Sequence, residues 1–118
     1  KLGDEALYAA MEAELLVAEK KPAAAAELYV QAYDKRPNLD LAVKAWNSSK
    51  LATGTGDASL LLDWQTRNPE DPRAARALGD AWLADDQAAK AEAAYEKVLA
   101  LAPDDLATPN NLALPGAW

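Results

Sequence analysis

The feature that most constrains this chain is the spacing of small and large apolar residues across positions 78–105, LGDAWLADDQAAKAEAAYEKVLALAPDD. Leu78, Gly79, Trp82, Ala91, Tyr95, Val98 and Pro103 cannot all lie on one helix face, because a face returns every three or four residues and the gap from Trp82 to Ala91 breaks that rhythm. Two helices satisfy it. Leu78 and Trp82 share one face at i and i+4, and Ala91, Tyr95 and Val98 share another at i, i+4 and i+7. The polar Asp85-Asp86-Gln87 separates them. The stretch therefore predicts a helical hairpin in which Gly79 and Ala91 let two helices approach closely while Trp82 and Tyr95 fill the space beside the crossing. Pro103 stops the second helix, since it lacks an amide hydrogen and biases its predecessor away from helix.

The prolines then act as a ruler. Pro37, Pro69 and Pro103 lie 32 and 34 residues apart. Counting back from Pro37 places Ala13, Ala25, Tyr29 and Ala32 at the positions of Gly79, Ala91, Tyr95 and Val98, with Glu12 where Leu78 stands and Pro22 at the first turn of a second helix. Counting back from Pro69 gives Ala45, Asp57, Leu61 and Trp64, a less regular unit. There Thr53-Gly54-Thr55-Gly56 delays the turn, predicting a first helix over about 39–52 and a short second helix over about 57–67. Asp71 ahead of Pro72, and Thr108 ahead of Pro109, read as helix caps. The start at Lys1 reads as an excised or processed chain, and PNNLALPGAW begins another first helix that Pro115 and Gly116 interrupt.

Composition narrows the class. Apolar residues make up 51% of the 118, dominated by alanine, with four Trp, four Tyr and no Phe, which suits closely packed helices better than a sheet. The expected fold is all-α and its length fits one domain, a single array over 1–118 with units at about 6–37, 38–71 and 72–105 and a partial capping helix at 106–118. A net charge of −7 argues against a nucleic-acid surface, which needs clustered Lys and Arg. Without Cys or His the chain has no thiolate nucleophile, imidazole base or usual zinc ligand, so no catalysis, cofactor or metal is expected. No apolar run approaches the roughly 20 residues of a membrane helix, so this segment is not expected to insert into a membrane.

The series Leu78, Gly79, Trp82, Ala91, Tyr95, Val98 and Pro103 resembles the tetratricopeptide repeat, a helix-turn-helix unit of about 34 residues. The first unit resembles it moderately and the middle one weakly. The resemblance implies a right-handed superhelical array of antiparallel helix pairs, a solenoid of about three repeats plus a partial fourth. First helices would line a concave groove, second helices the convex back. It implies no catalysis. More narrowly, the alanine-rich repeats, LLLDWQTRNPEDPRAARALGDAWLADD and the trailing NNLA are similar to the periplasmic repeat arrays of Gram-negative exopolysaccharide exporters of the Pel type. That resemblance implies a periplasmic scaffold, part of an outer-membrane-associated export protein, whose partner is a polysaccharide-modifying enzyme. The other placement is a soluble intracellular adaptor.

In this register the groove-facing residues are Ala10, Glu14 and Val17, then Ala42, Trp46, Ser49 and Lys50, then Arg73, Arg76, Asp80 and Leu83, with Asn110 continuing the row. The partner-binding candidates are Trp46 as aromatic anchor, Lys50, Arg73 and Arg76 as partners for carboxylates, and Asp80 and Asn110 beside them. Against this stands a plainer reading, in which Trp46 packs on its own neighbours and Arg73, Arg76 and Asp80 form a solvated face with an i,i+4 pair. A two-carboxylate clamp for chaperone tails is not expected, because Ala10, Glu14, Val43 and Ala77 occupy its places. The acidic pairs Glu70-Asp71, Asp85-Asp86 and Asp104-Asp105 read as turn and cap residues. Stacking on a carbohydrate has only Trp46 and Trp118 to draw on. The unfinished last helix, with Leu112 and Leu114, raises self-association as the alternative to a foreign partner.

Overall fold

The computed structural model describes residues 5–102, and within them the chain forms six helices and no strand. In order these are α1 (Glu5–Ala18), α2 (Pro22–Lys35), α3 (Leu39–Thr53), α4 (Ser59–Arg67), α5 (Pro72–Ala84) and α6 (Ala88–Leu101). The chain divides into two compact units, the first ending at Pro69 and the second beginning at Glu70. In the first, α1 packs on α2, α2 on α3 and α3 on α4; in the second, α5 packs on α6. The predicted Thr108 cap, capping helix 106–118, Asp104-Asp105, Asn110, Leu112, Leu114 and Trp118 lie outside the described residues.

Proline chemistry writes the punctuation. Arg36, Asn68 and Ala102, each preceding a proline, have φ of −148°, −133° and −143°, outside the helical region that a following pyrrolidine ring disfavours. Pro22 and Pro72 open α2 and α5, where the missing amide hydrogen costs nothing. The side chain of Asp71 accepts from the amide of Arg73 at 2.9 Å, capping α5 as its sequence predicts. Asn38 caps α3 in the same way, accepting from the Leu41 amide at 2.8 Å.

The first and third hairpins repeat in backbone detail. Lys20 and Asp86 both adopt left-handed φ, 64° and 61°. Lys21 donates to the Leu16 carbonyl and Gln87 to the Trp82 carbonyl, each at 2.8 Å. These equivalent residues lie 66 apart, the same interval as Tyr29 to Tyr95 and Pro37 to Pro103. The acidic pair at this turn is not an N-cap. Asp85 ends α5 and Asp86 takes the strained φ, while Gln87 precedes α6 without a side-chain cap bond.

Gly79 does make room, but for a ring. A Cβ there would stand 2.6 Å from Cε1 of Tyr95, so the glycine is the seat on which the tyrosine lies. The middle hairpin inverts this arrangement and shifts the expected register by one. The buried residues of α3 (Leu41, Ala42, Ala45, Trp46, Ser48) and of α5 (Ala74, Ala75, Leu78, Gly79, Ala81) match one for one at an interval of 33, which puts Trp46, not Ala45, at the Gly79 position. The indole fills the volume and Gly56 in the following turn yields to it, since a Cβ at Gly56 would come within 2.1 Å of Trp46 Nε1. Asp57, expected on a second helix, instead organises this turn: its carboxylate accepts from the Ser59 amide at 2.9 Å and its own amide donates to Ser49 Oγ at 2.7 Å. Only nine residues remain for α4, with Leu61 its one buried side chain.

Candidate functional site

A concavity lies between α1 and α3 of the first unit. On α1 the residues Ala10, Glu14 and Val17 recur at i, i+4 and i+7 and line it, as their spacing predicts. Leu7 and Met11 stand beside them, 55% and 56% exposed. Helix α3 supplies Leu41, Lys44, Ser48 and Leu51 from the opposite side, and Tyr29 of α2 forms part of the floor.

Lys44 spans the cleft. Its ammonium lies 3.1 Å from Glu14 Oε2 on α1 and 3.1 Å from Asp40 Oδ2 one turn back on α3. These two hydrogen bonds hold the ammonium pKa above the usual lysine value against the opposing effect of burial. Partly exposed pairs of this kind contribute little stability, about 0–1 kcal/mol each, so the bridge chiefly positions charge. It separates two recesses. One, of about 340 Å³, is lined by Ala6, Leu7, Ala10, Met11 and Leu41, with exposed Arg36 at its rim. The other, of about 190 Å³, is lined by Val17, Tyr29, Ser48 and Leu51. Burial, and then the Glu14 carboxylate, raise the Tyr29 hydroxyl, so the floor of the second recess is neutral.

Of the sequence-predicted binding residues, Arg73 and Asp80 are exposed and Trp46 is buried. Trp46 is 8% exposed and its Nε1 is buried without a hydrogen-bond partner, so it is a core residue and not a surface anchor. Lys50 lies over that indole at 5.8 Å and donates to the Gly54 carbonyl at 3.2 Å, closing the C-terminus of α3. Ser49 donates to the Trp46 carbonyl at 2.8 Å, and Ala42 is fully buried. In the second unit Arg73 forks onto the cap residue Asp71, with Nε to Oδ1 at 3.1 Å and Nη2 to Oδ2 at 3.0 Å. Asp80 accepts from the Tyr95 hydroxyl, which burial and this bond push up to about 12, while Arg76 is close enough to oppose that shift. Leu83 is exposed. Thus Arg76, Asp80 and Tyr95 come together, whereas Arg73 is turned onto its own cap.

Lys44, Asp40, Met11 and Tyr29 escape sequence reasoning as groove residues. The i,i+4 pair Asp40–Lys44 was visible, but only the packing of α1 and α3 on the shared α2 shows that Glu14 completes it. Among the described residues no group of three or more Asp and Glu could hold a metal ion, and no helix is long and apolar enough to cross a membrane.

The class these features define is an all-helical protein of recurring helical hairpins carrying an open, mixed apolar and charged cleft. Neither the family models nor the curated proteins nor the solved structures contain a match to this chain.

Proposed function

We propose that this chain is a non-catalytic protein-interaction scaffold that receives a segment of another protein in the α1–α3 cleft. One observation carries the reading: two recesses, each with an apolar part, share a charged bridge, so that a bound segment can seat two hydrophobic side chains and exchange hydrogen bonds with Glu14, Lys44 and Asp40 between them. Leu7, Met11 and Leu51, all more than half exposed, are the apolar surface that such a segment removes from water. The hairpin recurrence supports a tetratricopeptide-type array, in which first helices present the binding face.

The narrower reading follows from the sequence resemblance alone. The chain is then a piece of a periplasmic scaffold, part of an exopolysaccharide export protein similar to the Pel outer-membrane exporter, and its partner is a polysaccharide-modifying enzyme. Biofilm formation would be the process served.

A photo-activatable phenylalanine analogue installed in turn at Met11, Leu51 and Val30 tests both levels. Val30 is 46% exposed on α2 and does not line the cleft. Adducts in the producing cell from positions 11 and 51, and none from 30, support cleft binding. A polysaccharide-modifying enzyme in those adducts supports the export reading. Adducts from position 30 alone, or from no position, overturn the cleft as the binding surface.

A further inference from the structure

Helix α1 has a second apolar row that the cleft does not use. Subtracting the 33-residue interval from α3 assigns Leu41, Ala45 and Ser48 to Tyr8, Glu12 and Leu15. In α3, which packs against α2, those three positions are 6%, 5% and 2% exposed; in α1 Tyr8 and Leu15 are 60% and 58% exposed, and Glu12 is exposed as well. The same face is covered once in the first unit and open once.

The complementary face is also present. Helix α6 repeats α2 at an interval of 66, with the same entering turn, a left-handed residue at the equivalent place before it and a non-helical residue of closely similar φ, −148° and −143°, after it. In α2, Tyr33 is 3% exposed; its equivalent Leu99 is 37% exposed, and Glu92 stands exposed where Ala26 is half-buried. Among the described residues, an α2-like face on α6 and an α3-like face on α1 are thus left open.

The geometry points to a second copy of this chain as the occupant: α6 of one molecule docks on the Tyr8–Leu15 face of α1 of another, reproducing head-to-tail the packing that α2 and α3 make internally. Such a contact is heterologous, so each pairing leaves one α1 face and one α6 face free, and association grows with concentration. Glu12 and Glu92, standing where the internal interface has Ala45 and Ala26, keep the contact weak, because each brings a carboxylate to a face that is apolar in the internal copy.

Sedimentation velocity on the purified chain over concentrations up to about 1 mM reads the proposal directly. The expected result is concentration-dependent association of the wild type, tightened at least about tenfold in Glu12→Ala/Glu92→Ala, a change of about 1.4 kcal/mol. Leu15→Asp and Leu99→Asp, each at an exposed position and each checked for retained helicity by circular dichroism, are expected to be monomeric alone. Mixed in equal amounts they form a dimer and nothing larger, through the intact α6 of the first and the intact α1 of the second. A wild type that stays monomeric throughout overturns the proposal. So does association of either aspartate variant on its own, or a mixture that remains monomeric.

Discussion

Gly56 and Gly79 solve one steric problem from opposite sides. In the third hairpin the small residue is on the first helix and the ring on the second; in the middle hairpin the ring, Trp46, is on the first helix and the small residue follows it. Alanine at either glycine places a methyl within 3 Å of an aromatic ring and is expected to destabilise by about 1–3 kcal/mol, read as a lowered urea midpoint at unchanged m-value. Gly54 offers a contrast. Nothing lies within 4 Å of a Cβ there, but its φ of 92° is left-handed, so Gly54→Ala is expected to cost about 1 kcal/mol through backbone strain. The tyrosines add a pH dependence. Tyr33 donates to Asp63 Oδ2 at 2.7 Å, and burial followed by this bond pushes its hydroxyl up to about 12, as burial and Asp80 do for Tyr95. The folded state thus favours the neutral phenol. Its contribution is complete below the ordinary value of 10.0 and disappears as pH climbs toward about 12. Stability is expected to fall between pH 10 and pH 12, and the fall is expected to be shallower in Tyr33→Phe/Tyr95→Phe, as followed by circular dichroism in urea.

At the scale of elements, α4 is the least anchored. It buries Leu61 alone, and its Asp63 accepts from Tyr33 of α2 at 2.7 Å and from Arg67 Nε at 2.6 Å on its own next turn. These two bonds, Tyr33 first, hold the Asp63 carboxyl below its ordinary value. Leu61→Ala is expected to remove about 2–4 kcal/mol, and native-state hydrogen exchange to show amides of α4 opening before those of α2. Equal protection in both helices would sink this ranking. Much at this scale was legible in the sequence. Pro22, Pro37, Pro69, Pro72 and Asp71 act locally, through φ, a missing N–H and a side-chain cap, so the helix ends they set lie within a residue or two of expectation. Register within α3 was not legible, because counting back from Pro69 spans a turn whose length depends on how Trp46 and Gly56 fit each other. That fit is a contact between residues ten apart and leaves no periodic trace.

At the scale of the molecule, charge and apolar exposure pull in different directions. The first-unit cleft was half readable: Ala10, Glu14 and Val17 follow from helical period, but the burial of Trp46 against Gly56, the bond of Lys50 to Gly54 and the fork of the still exposed Arg73 onto Asp71 depend on packing or local geometry that leaves no periodic trace. The open face of α1 was not readable, since Tyr8 and Leu15 look like core residues in the sequence and only the fold shows them more than half exposed. What holds two copies together on that face can be told from salt. Each chain carries −7, so two copies repel at long range, over about 10 Å at 0.1 M salt and only about 3 Å at 1 M. An apolar contact opposed by like charge strengthens as the repulsion is screened. Self-association is therefore expected to tighten from low to high sodium chloride, with sedimentation velocity as the measure. An interface held by ion pairs would weaken over the same range. Weakening would shift the contact away from Tyr8, Leu15 and Leu99 and toward the charged residues around Lys44, where salt acts against binding.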